Sequence, residues 1–276
     1  MAVLTFCNHK GGTGKTTSVI NVAAALGLAG YKTVVIDLDP QSFLTRTLGV
    51  DEPPEQASSL RLFENGASLR DAPLLSMKNF DLLPASSGLT KAMRRLNRPT
   101  DVFWVKEALD AGHDYDVVIL DTAAAVTVFS LNALVSTTQV LIPATPEYQP
   151  ILGAEQTFQT VMLVKAKLNP ELPKPSFLLT RVDARKRVHA HYARYLRRKY
   201  DQCVLDQVVR TSTSLVQTNH DGHTVFERAP RARGAKDYLN VTRELVRRMG
   251  LPRKLDPQKQ EQNGRRPDAR RVASTT

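Results

Sequence analysis

The residues that decide the fold are Val3-Leu4-Thr5-Phe6-Cys7-Asn8-His9-Lys10-Gly11-Gly12-Thr13-Gly14-Lys15-Thr16-Thr17. An apolar run comes first, a glycine-rich turn follows it, and residues 16–29 have a helical pattern. Glycine lets backbone N–H groups curl around phosphate oxygens without Cβ clashes. The N-terminus of the following helix adds favourable partial charge. This order of strand, turn and helix predicts a phosphate-binding loop.

Two side chains predict the chemistry of this loop. Lys15 is expected to reach the terminal phosphates of a bound nucleotide, and Thr16 to put its hydroxyl on Mg²⁺. We therefore expect Mg²⁺ to accompany the nucleotide as a cofactor. The residues predicted to bind the nucleotide are Lys10, Gly11, Gly12, Thr13, Gly14, Lys15, Thr16 and Thr17.

Short apolar, β-branched runs alternate along the chain with longer helical patterns. The runs cover residues 3–6, 33–36, 80–83, 116–120, 139–142, 177–179 and 208–209. The helical patterns cover residues 16–29, 102–111, 152–168, 187–200 and 235–249. Continuous apolar runs are typical of strands that are buried on both faces. The pattern therefore predicts an α/β fold with a doubly wound, mostly parallel sheet and helices on both faces.

The net charge of +11 is unevenly distributed. Residues 1–180 hold 15 Lys and Arg against 17 Asp and Glu, whereas residues 181–276 hold 23 against 10. This bias indicates a polyanionic partner, with a merely solvated basic face as the alternative. The residues from 252 onward are too polar to offset their ordering entropy. We predict a globular domain over residues 1–251 and a disordered basic tail over residues 252–276.

The loop departs from the common pattern G-x-x-x-x-G-K-[ST] in two places. His9 stands where that pattern has glycine, and Lys10 precedes the glycine pair. The loop thus resembles the deviant Walker A loop, K-G-G-x-G-K-[ST], of the ParA/MinD superfamily of P-loop ATPases. The resemblance implies that ATP binds between the two subunits of a homodimer. It also implies that Lys10 reaches across to the nucleotide of the partner subunit.

Two acidic segments extend the resemblance. The segment Val35-Ile36-Asp37-Leu38-Asp39-Pro40-Gln41 is similar to the switch I segment of the family, D-x-D-P-Q. The segment Asp116-Val117-Val118-Ile119-Leu120-Asp121-Thr122 is similar to its Walker B strand. The resemblance implies that Asp39 orients the attacking water, that Asp37 lies near the Mg²⁺ shell, and that Asp121 holds Mg²⁺ through water. The implied catalytic residues are Lys10, Lys15 and Asp39; the implied metal residues are Thr16, Asp37 and Asp121.

Two further features refine the resemblance. The family usually follows its Walker B strand with two prolines, whereas this chain has Ala123-Ala124-Ala125. This segment after the Walker B strand is called switch II in the family, and without the prolines it is expected to be less stiff. Residues 222–238 are similar to the C-terminal segment G-x-x-V…A-P-x-x-x-G-A-x-x-Y of ParA-type partition ATPases. Because the phosphate loop stands at the start of the chain, the short, Soj-like form of the family is expected.

Residues 185–200 contain no acidic side chain and have helical spacing. Val188, Tyr192, Tyr195 and Leu196 are predicted to face the core. The arginines predicted to contact DNA phosphates are Arg187, Arg194, Arg197 and Arg198, with a plain solvated face as the alternative. His189 and His191 are expected at the surface rather than as metal ligands.

The resemblance implies a ParA-type ATPase, found in the cytoplasm on the nucleoid. ATP would drive a sandwich dimer, and the dimer would bind double-stranded DNA without sequence preference. A ParB-like or other cargo-adaptor protein would stimulate hydrolysis, the cargo being a plasmid, a chromosomal origin or a protein body. One alternative is a MinD-like membrane-surface ATPase, disfavoured because the tail has no apolar helical face. Another is a metabolic ligase of the same superfamily, which needs a substrate pocket but no basic face.

Overall fold

The computed structural model describes residues 1–220 and 222–254 of the 276-residue chain. From residue 255 onward the predicted tail lies outside the described residues. The first residues of that predicted tail contact the domain. The Tyr31 hydroxyl donates to the carbonyl oxygen of Pro252 at 2.6 Å, and the Lys254 ammonium lies 2.6 Å from the Asp116 carboxylate. The domain boundary after residue 251 stays a prediction.

A seven-stranded sheet forms the centre of the molecule. Its strands are β1 (Ala2–Phe6), β2 (Thr33–Asp37), β3 (Leu75–Ser76), β4 (Asp81–Leu83), β5 (Val117–Asp121), β6 (Gln139–Ala144) and β7 (Ser176–Leu179). Their order across the sheet is β3-β4-β2-β5-β1-β6-β7. All neighbouring strands are parallel except β3, which pairs antiparallel with β4 at the edge.

Helices connect the strands and cover both faces of the sheet. They are α1 (Lys15–Leu28), α2 (Phe43–Thr47), α3 (Gly88–Ala92), α4 (Trp104–Asp110), α5 (Val128–Ser136), α6 (Tyr148–Lys167), α7 (Arg187–Tyr200), α8 (Thr213–His220), α9 (Val225–Arg228) and α10 (Arg233–Arg248). Within the described residues, short 3₁₀ segments lie at Glu55–Ala57, Ser59–Phe63, Leu69–Asp71, Pro99–Val102 and Asp201–Cys203. The predicted doubly wound α/β fold is confirmed.

Apolar side chains project from both faces of the central strands. One buried cluster joins side chains of α1 and α10 to one face of the strands, among them Leu4, Phe6, Val35, Val117 and Ile119. A second joins α4 and α5 to the opposite face, among them Val3, Val34, Ile36, Val118 and Leu120. Because successive side chains of a strand point to opposite faces, a strand that is covered twice must be apolar at every position. This is why the strands have continuous apolar sequences.

Several short elements differ from the sequence-based expectation: strand β3 and helices α2, α3, α8 and α9 were not predicted. Residues 208–209 do not form a strand: the Val209 N–H donates to the Leu179 carbonyl oxygen at 2.9 Å, and Arg210 forms only an isolated bridge with Val182. Helix α5 was not predicted, because Val, Phe and Ser in its first turn favour other structures. It begins at a capping box, in which the Thr127 and Ser130 side chains each accept from the other residue's backbone N–H.

The parallel strands bring the predicted site segments to one edge of the sheet. Phe6 and Asp37 are the register partners of Asp121 in the two strands that flank β5. The phosphate loop and both acidic segments therefore meet at the carboxyl ends of the strands, where ligands bind in open α/β sheets. Over residues 1–220 and 222–254, none of the helices has the length and apolar content that crossing a membrane requires.

Candidate functional site

The phosphate loop lies between the end of β1 and the first turn of α1. Gly12 and Gly14 have φ angles of 73° and 85°, in the left-handed region that side chains with a Cβ rarely adopt. Gly14 is also the N-cap of α1. The loop therefore opens onto the helix end where backbone N–H groups lack intrahelical acceptors. Such a turn is suited to binding an anion.

The ammonium of Lys15 is held inside this loop. Its Nζ donates to the carbonyl oxygen of Asn8 at 3.0 Å and to that of Lys10 at 3.4 Å. Burial lowers the pKa of Lys15, against the opposing attraction of the Asp121 carboxylate. A buried cation whose hydrogen-bond acceptors among the described residues are carbonyl oxygens interacts strongly with phosphate oxygens, because charge-assisted hydrogen bonds are the stronger ones.

Asp37 is fully buried at the end of β2, and both of its carboxylate oxygens accept hydrogen bonds. Oδ1 accepts from the Asp39 backbone N–H at 3.0 Å. Oδ2 accepts from the backbone N–H and the hydroxyl of Thr45, at 3.0 and 2.6 Å. Burial raises the pKa of Asp37 to about 6. Asp37 therefore fixes the turn that leads into α2, and its place near the Mg²⁺ shell stays a prediction.

Asp39 lies two residues further along and lines the same cavity as the phosphate loop. Its Oδ1 accepts from the Gln41 backbone N–H at 2.9 Å. Burial raises the pKa of this carboxyl, although the Gln41 N–H and Lys15 act in the opposite direction. The backbone thus fixes one oxygen of a carboxylate that borders the place where phosphates would bind.

Asp121 and Thr16 come together although they are far apart in sequence. The Thr16 hydroxyl donates to Oδ2 of Asp121 at 2.9 Å. Oδ1 of Asp121 is buried and has no hydrogen-bond partner within the part of the chain that the structure describes. Burial and the neighbouring Asp37 raise the pKa of Asp121 well above its usual range. A buried carboxylate with an unsatisfied oxygen is costly unless a cation lies next to it.

This donor set fits a divalent cation that also binds a nucleotide. Among the described residues, no group of three or more His, Cys, Asp or Glu side chains is arranged to hold a metal by itself. Mg²⁺ in nucleotide sites is held by one or two protein oxygens together with phosphates and water. The hydroxyl of Thr16 and the carboxylate of Asp121 supply such oxygens.

A cavity of about 890 Å³ runs along this edge of the sheet. Besides the phosphate loop and Asp39, its lining includes Phe43, Met93, Ala123, Thr180, Arg181, Arg210, Leu215 and Tyr238. The segment after β7 forms one wall of this cavity and is hydrogen-bonded to the phosphate loop. The Thr180 hydroxyl donates to the Thr13 carbonyl at 2.7 Å, and Arg181 Nη1 donates to the Gly12 carbonyl at 3.3 Å. The sequence did not reveal this wall because no local motif marks residues 180–181.

The C-terminal segment supports the cavity from behind. The Tyr238 hydroxyl lies 3.1 Å from the Ser18 hydroxyl on α1, and burial raises the pKa of Tyr238. The Asp237 carboxylate accepts from the Arg210 backbone N–H at 2.9 Å and also binds the guanidinium of that residue. This contact holds the chain between β7 and α8 in place. Within residues 222–238, Asp237 and Tyr238 therefore have a structural role at the site.

The backbone of Lys10 is held against α6, whereas its side chain is exposed. Asn8 Oδ1 accepts from the Lys10 N–H at 2.9 Å, and Thr157 on α6 accepts from the His9 N–H at 3.0 Å. A Cβ added to Gly153 would lie only 3.0 Å from the Lys10 Cβ. The small residue on α6 thus lets the loop approach the helix closely.

The segment after β5 is anchored at both ends. The Thr122 hydroxyl donates to the Phe6 carbonyl at 2.9 Å, and Thr127 begins α5. Ala124 and Ala125 between them are exposed, as is Val126. Ala123 and Ala124, which stand where the family usually has two prolines, border the cavity together with Ala125.

The basic helix is rotated relative to the prediction. Val188 is 45% and Tyr195 36% exposed, so neither is part of the core as predicted. His189, expected at the surface, is 2% exposed, and Leu196 is fully buried. His189 takes the inward position because hydrogen bonds on both ring nitrogens offset its burial, which an apolar pattern does not reveal.

Three of the four predicted arginines share the exposed side of α7. Arg187, Arg194 and Arg198 are exposed, together with His191. Arg197 is half-buried, and its guanidinium lies 4.0 Å from the Asp206 carboxylate. The structure thus presents a basic face formed by Arg187, Arg194 and Arg198, whose contact with DNA stays a prediction.

Known proteins of one family resemble this chain over most of its length. A family model described as an AAA domain matches residues 1–174. The sporulation initiation inhibitor protein Soj of Bacillus subtilis is 30% identical over 248 residues, covering 88% of this chain and 98% of Soj. The chain belongs to the ParA/MinD superfamily of P-loop ATPases.

Two more proteins show how far the likeness extends. The chromosome partitioning protein ParA of Myxococcus xanthus is 30% identical over 254 residues, covering 89% of this chain and 88% of that protein. A solved structure of cobyrinic acid a,c-diamide synthase from Mycobacterium smegmatis, with bound ADP and magnesium, superposes with a TM-score of 0.78. It is 28% identical and covers 92% of this ParA/MinD-superfamily chain and 98% of its own.

Proposed function

We propose that this chain is a ParA-type ATPase that positions a cargo on DNA through a cycle of ATP binding and hydrolysis. The relatives named Soj and ParA match it over most of both lengths, which supports the partition role. The observation that carries the nucleotide chemistry is the Thr16 hydroxyl on Asp121, beside a buried carboxylate oxygen without a partner among the described residues. The cargo is a plasmid, a chromosomal origin or a protein body.

The nucleotide is ATP, and its cofactor is Mg²⁺. The M. smegmatis relative was solved with ADP and magnesium, which supports both assignments. Lys15 and the loop N–H groups bind the phosphates, while Thr16 and Asp121 hold the cation. When bound, Mg²⁺ neutralises charge on the terminal phosphates. The neighbouring carboxylates then no longer repel the nucleotide.

Asp39 orients the water that attacks the terminal phosphate. The Gln41 N–H fixes one oxygen of this carboxylate, so the other can accept a hydrogen bond from the water. The raised pKa of Asp39 makes the carboxylate a better proton acceptor. Positioning of the water, rather than covalent chemistry, is the main contribution a protein makes to phosphoryl transfer.

Lys10 acts on the nucleotide of the partner subunit in an ATP-bound homodimer. Its exposed side chain stands on a loop whose backbone is held by α6, so the ammonium can reach out of its own subunit. The loop of its own subunit already contains Lys15 for the phosphates. The presence of a second lysine, Lys10, in the same loop is explained if its ammonium contacts the nucleotide that the partner subunit binds.

Replacing Lys10 by alanine is expected to leave ATP binding in place and to prevent the closed dimer, because the charge between the subunits is removed. Sedimentation velocity with ATP and Mg²⁺ measures the dimer. Lys174→Ala is the matched control, since Lys174 is exposed and precedes β7 at the opposite edge of the sheet. An ATP-dependent dimer of normal stability in the Lys10 variant would rule out the role in trans.

The basic face of α7 contacts the DNA backbone without reading its sequence. Three exposed arginines lie on one side of a helix that has no acidic residue. Two such faces in a dimer would act on one duplex. If about three to five phosphates are neutralised per dimer, log K falls with log salt with a slope of about −3 to −4.5.

Replacing Arg194 and Arg198 together by glutamate should weaken duplex binding equally for unrelated sequences, because phosphate contacts carry no sequence information. The salt slope should become shallower by about 1 for each phosphate that is no longer neutralised. Filter binding at several salt concentrations, with and without ATP, measures both quantities. Arg94→Glu with Arg95→Glu is the matched control: these exposed arginines follow β4, near the other end of the strand order. Equal weakening in the two double variants would point to diffuse charge and remove α7 as a specific contact.

The same binding experiment separates the competing functions. A metabolic ligase remains a candidate because the M. smegmatis relative is named as a diamide synthase. Such an enzyme needs no DNA contact, so absence of ATP-dependent duplex binding would favour it. Co-sedimentation with liposomes would favour the membrane-surface alternative. A cargo-bound, ParB-like or other adaptor protein that stimulates hydrolysis would complete the proposed cycle on the nucleoid.

A further inference from the structure

His189 is buried although it lies on the basic helix α7. Its Nδ1 lies 3.0 Å from the backbone N of Asp183, and its Nε2 lies 3.0 Å from Oε1 of Glu147. A backbone N–H can only donate, so Nδ1 accepts and the proton of the neutral ring is on Nε2. The ring therefore accepts from one element and donates to another. Both partners belong to elements that touch the phosphate loop.

The first connection passes through the segment after β7. The Thr180 hydroxyl and the Arg181 guanidinium donate to the carbonyls of Thr13 and Gly12 in the phosphate loop. Arg181 has a φ of 52°, which residues other than glycine rarely adopt. Such a conformation persists where its surroundings fix it, and it is enriched at functional sites. Two residues further on, the N–H of Asp183 meets the imidazole.

The second connection passes through α6. Glu147 is the N-cap residue of this helix. One and a half turns later, Gly153 packs closely on Lys10, and after another turn Thr157 accepts the N–H of His9. Because α6 is continuous, a shift of the phosphate loop at Gly153 and Thr157 moves the first turn of the helix as well. The carboxylate at that turn is the acceptor of the imidazole.

The geometry points to His189 as a positioning residue that couples the state of the phosphate loop to the orientation of α7. Through it, the bound nucleotide sets how tightly the basic face binds DNA. This rests on the proposed function, in which that face contacts DNA. Removing either partner leaves a buried polar group unsatisfied, so the ring moves with both of its partners. Lys186, whose Nζ lies 3.3 Å from Glu147 Oε1, adds a weaker, exposed tie between the same helices.

Two substitutions of His189 each remove one of the two hydrogen bonds of its ring and keep the other. In His189→Asn, the amide oxygen can take the place of Nδ1 and keep the Asp183 N–H, but the side chain is too short to reach Glu147. In His189→Gln, the amide nitrogen can take the place of Nε2 and keep Glu147, but nothing accepts from Asp183. Each variant removes one connection while keeping a polar group in the buried position.

The test measures duplex Kd by fluorescence anisotropy at fixed salt, once with ATP and Mg²⁺ and once with ADP and Mg²⁺. The ratio of the two Kd values reports coupling, and coupling energies between sites usually correspond to factors of about 5 to 150. We expect this ratio to fall by about fivefold or more in both His189 variants. ATP affinity without DNA, and duplex Kd with ADP, should stay within about twofold of the unmodified protein.

Glu147→Gln is the conservative control, because its amide oxygen still accepts from Nε2, and it should keep the ratio. Glu147→Ala removes the hydrogen bond between His189 and Glu147 by changing the Glu147 side chain, which is 44% exposed. It therefore tests the proposal even if the two His189 variants do not fold. A ratio within about twofold of the unmodified protein in His189→Asn, His189→Gln and Glu147→Ala would overturn the coupling. Failure of the unmodified protein to bind duplex, or indifference to the Arg194 and Arg198 changes, would instead overturn the proposed function.

Discussion

Lys15→Ala is expected to abolish ATP binding. The ammonium of Lys15 is buried in the phosphate loop, and among the described residues it donates to backbone carbonyls and forms no ion pair, so it can bind phosphate oxygens without breaking one. Removing one partner of a buried charge pair costs enough to weaken binding by about 100-fold or more. Isothermal titration with a non-hydrolysable ATP analogue and Mg²⁺ measures the change in affinity.

The control for Lys15→Ala is a measurement of whether the variant keeps its folded stability. The alanine lies in the first turn of α1, where it is a good helix former, so thermal unfolding without nucleotide should change little. ATP stabilises the unmodified protein by mass action and should fail to stabilise the variant. Affinity within about threefold of the unmodified protein would remove Lys15 from the phosphate site.

Asp39→Ala is expected to retain ATP and to stop its hydrolysis. This carboxylate lines the cavity, and in the proposed mechanism it does not hold the phosphates but accepts from the attacking water, so its removal takes away that acceptor. General-base positioning contributes roughly 10²–10⁴-fold to rate, and kcat should fall by that amount. The protein would then remain in its ATP-bound dimer, which sedimentation detects as a species that persists after the nucleotide has been added.

Asp71→Ala is a suitable comparison for Asp39→Ala, since Asp71 is exposed and distant in sequence from the site segments. Its ATPase rate should match that of the unmodified protein. If the Asp39 variant shows ordinary steady-state hydrolysis, another group must orient the water. Weakened ATP binding in that variant would mean that Asp39 holds the cation instead.

Together with the Lys10 variant, these experiments separate three steps. Lys15 acts before the others, because no later step occurs without ATP. In the proposed cycle, Lys10 acts on the closing of the dimer and Asp39 on its reopening. The Lys15 variant should therefore accumulate as free monomer, the Lys10 variant as ATP-bound monomer and the Asp39 variant as ATP-bound dimer. A single sedimentation series can distinguish the three species.

The phosphate loop could be predicted from the sequence because its determinants are contiguous. Val3 to Phe6 form the buried strand, Gly12 and Gly14 allow the left-handed turns, and the helix begins at once. Each of these preferences is local, so the order of residues is sufficient. The parallel sheet followed in the same way, since burial on both faces requires an apolar residue at every strand position.

The sequence by itself therefore determined the α/β fold, the phosphate loop, and the carboxylates that end β2 and β5. Only the tertiary structure decided that Thr16 donates to Asp121, that Arg181 supports the loop, and that α7 turns His189 inward. The reason is physical. Which side of a helix is buried depends on the free energy of all its contacts, and hydrogen bonds on both ring nitrogens outweigh the apolar spacing that begins at Val188. Those bonds come from residues 6 and 42 positions away, so no local pattern contains them.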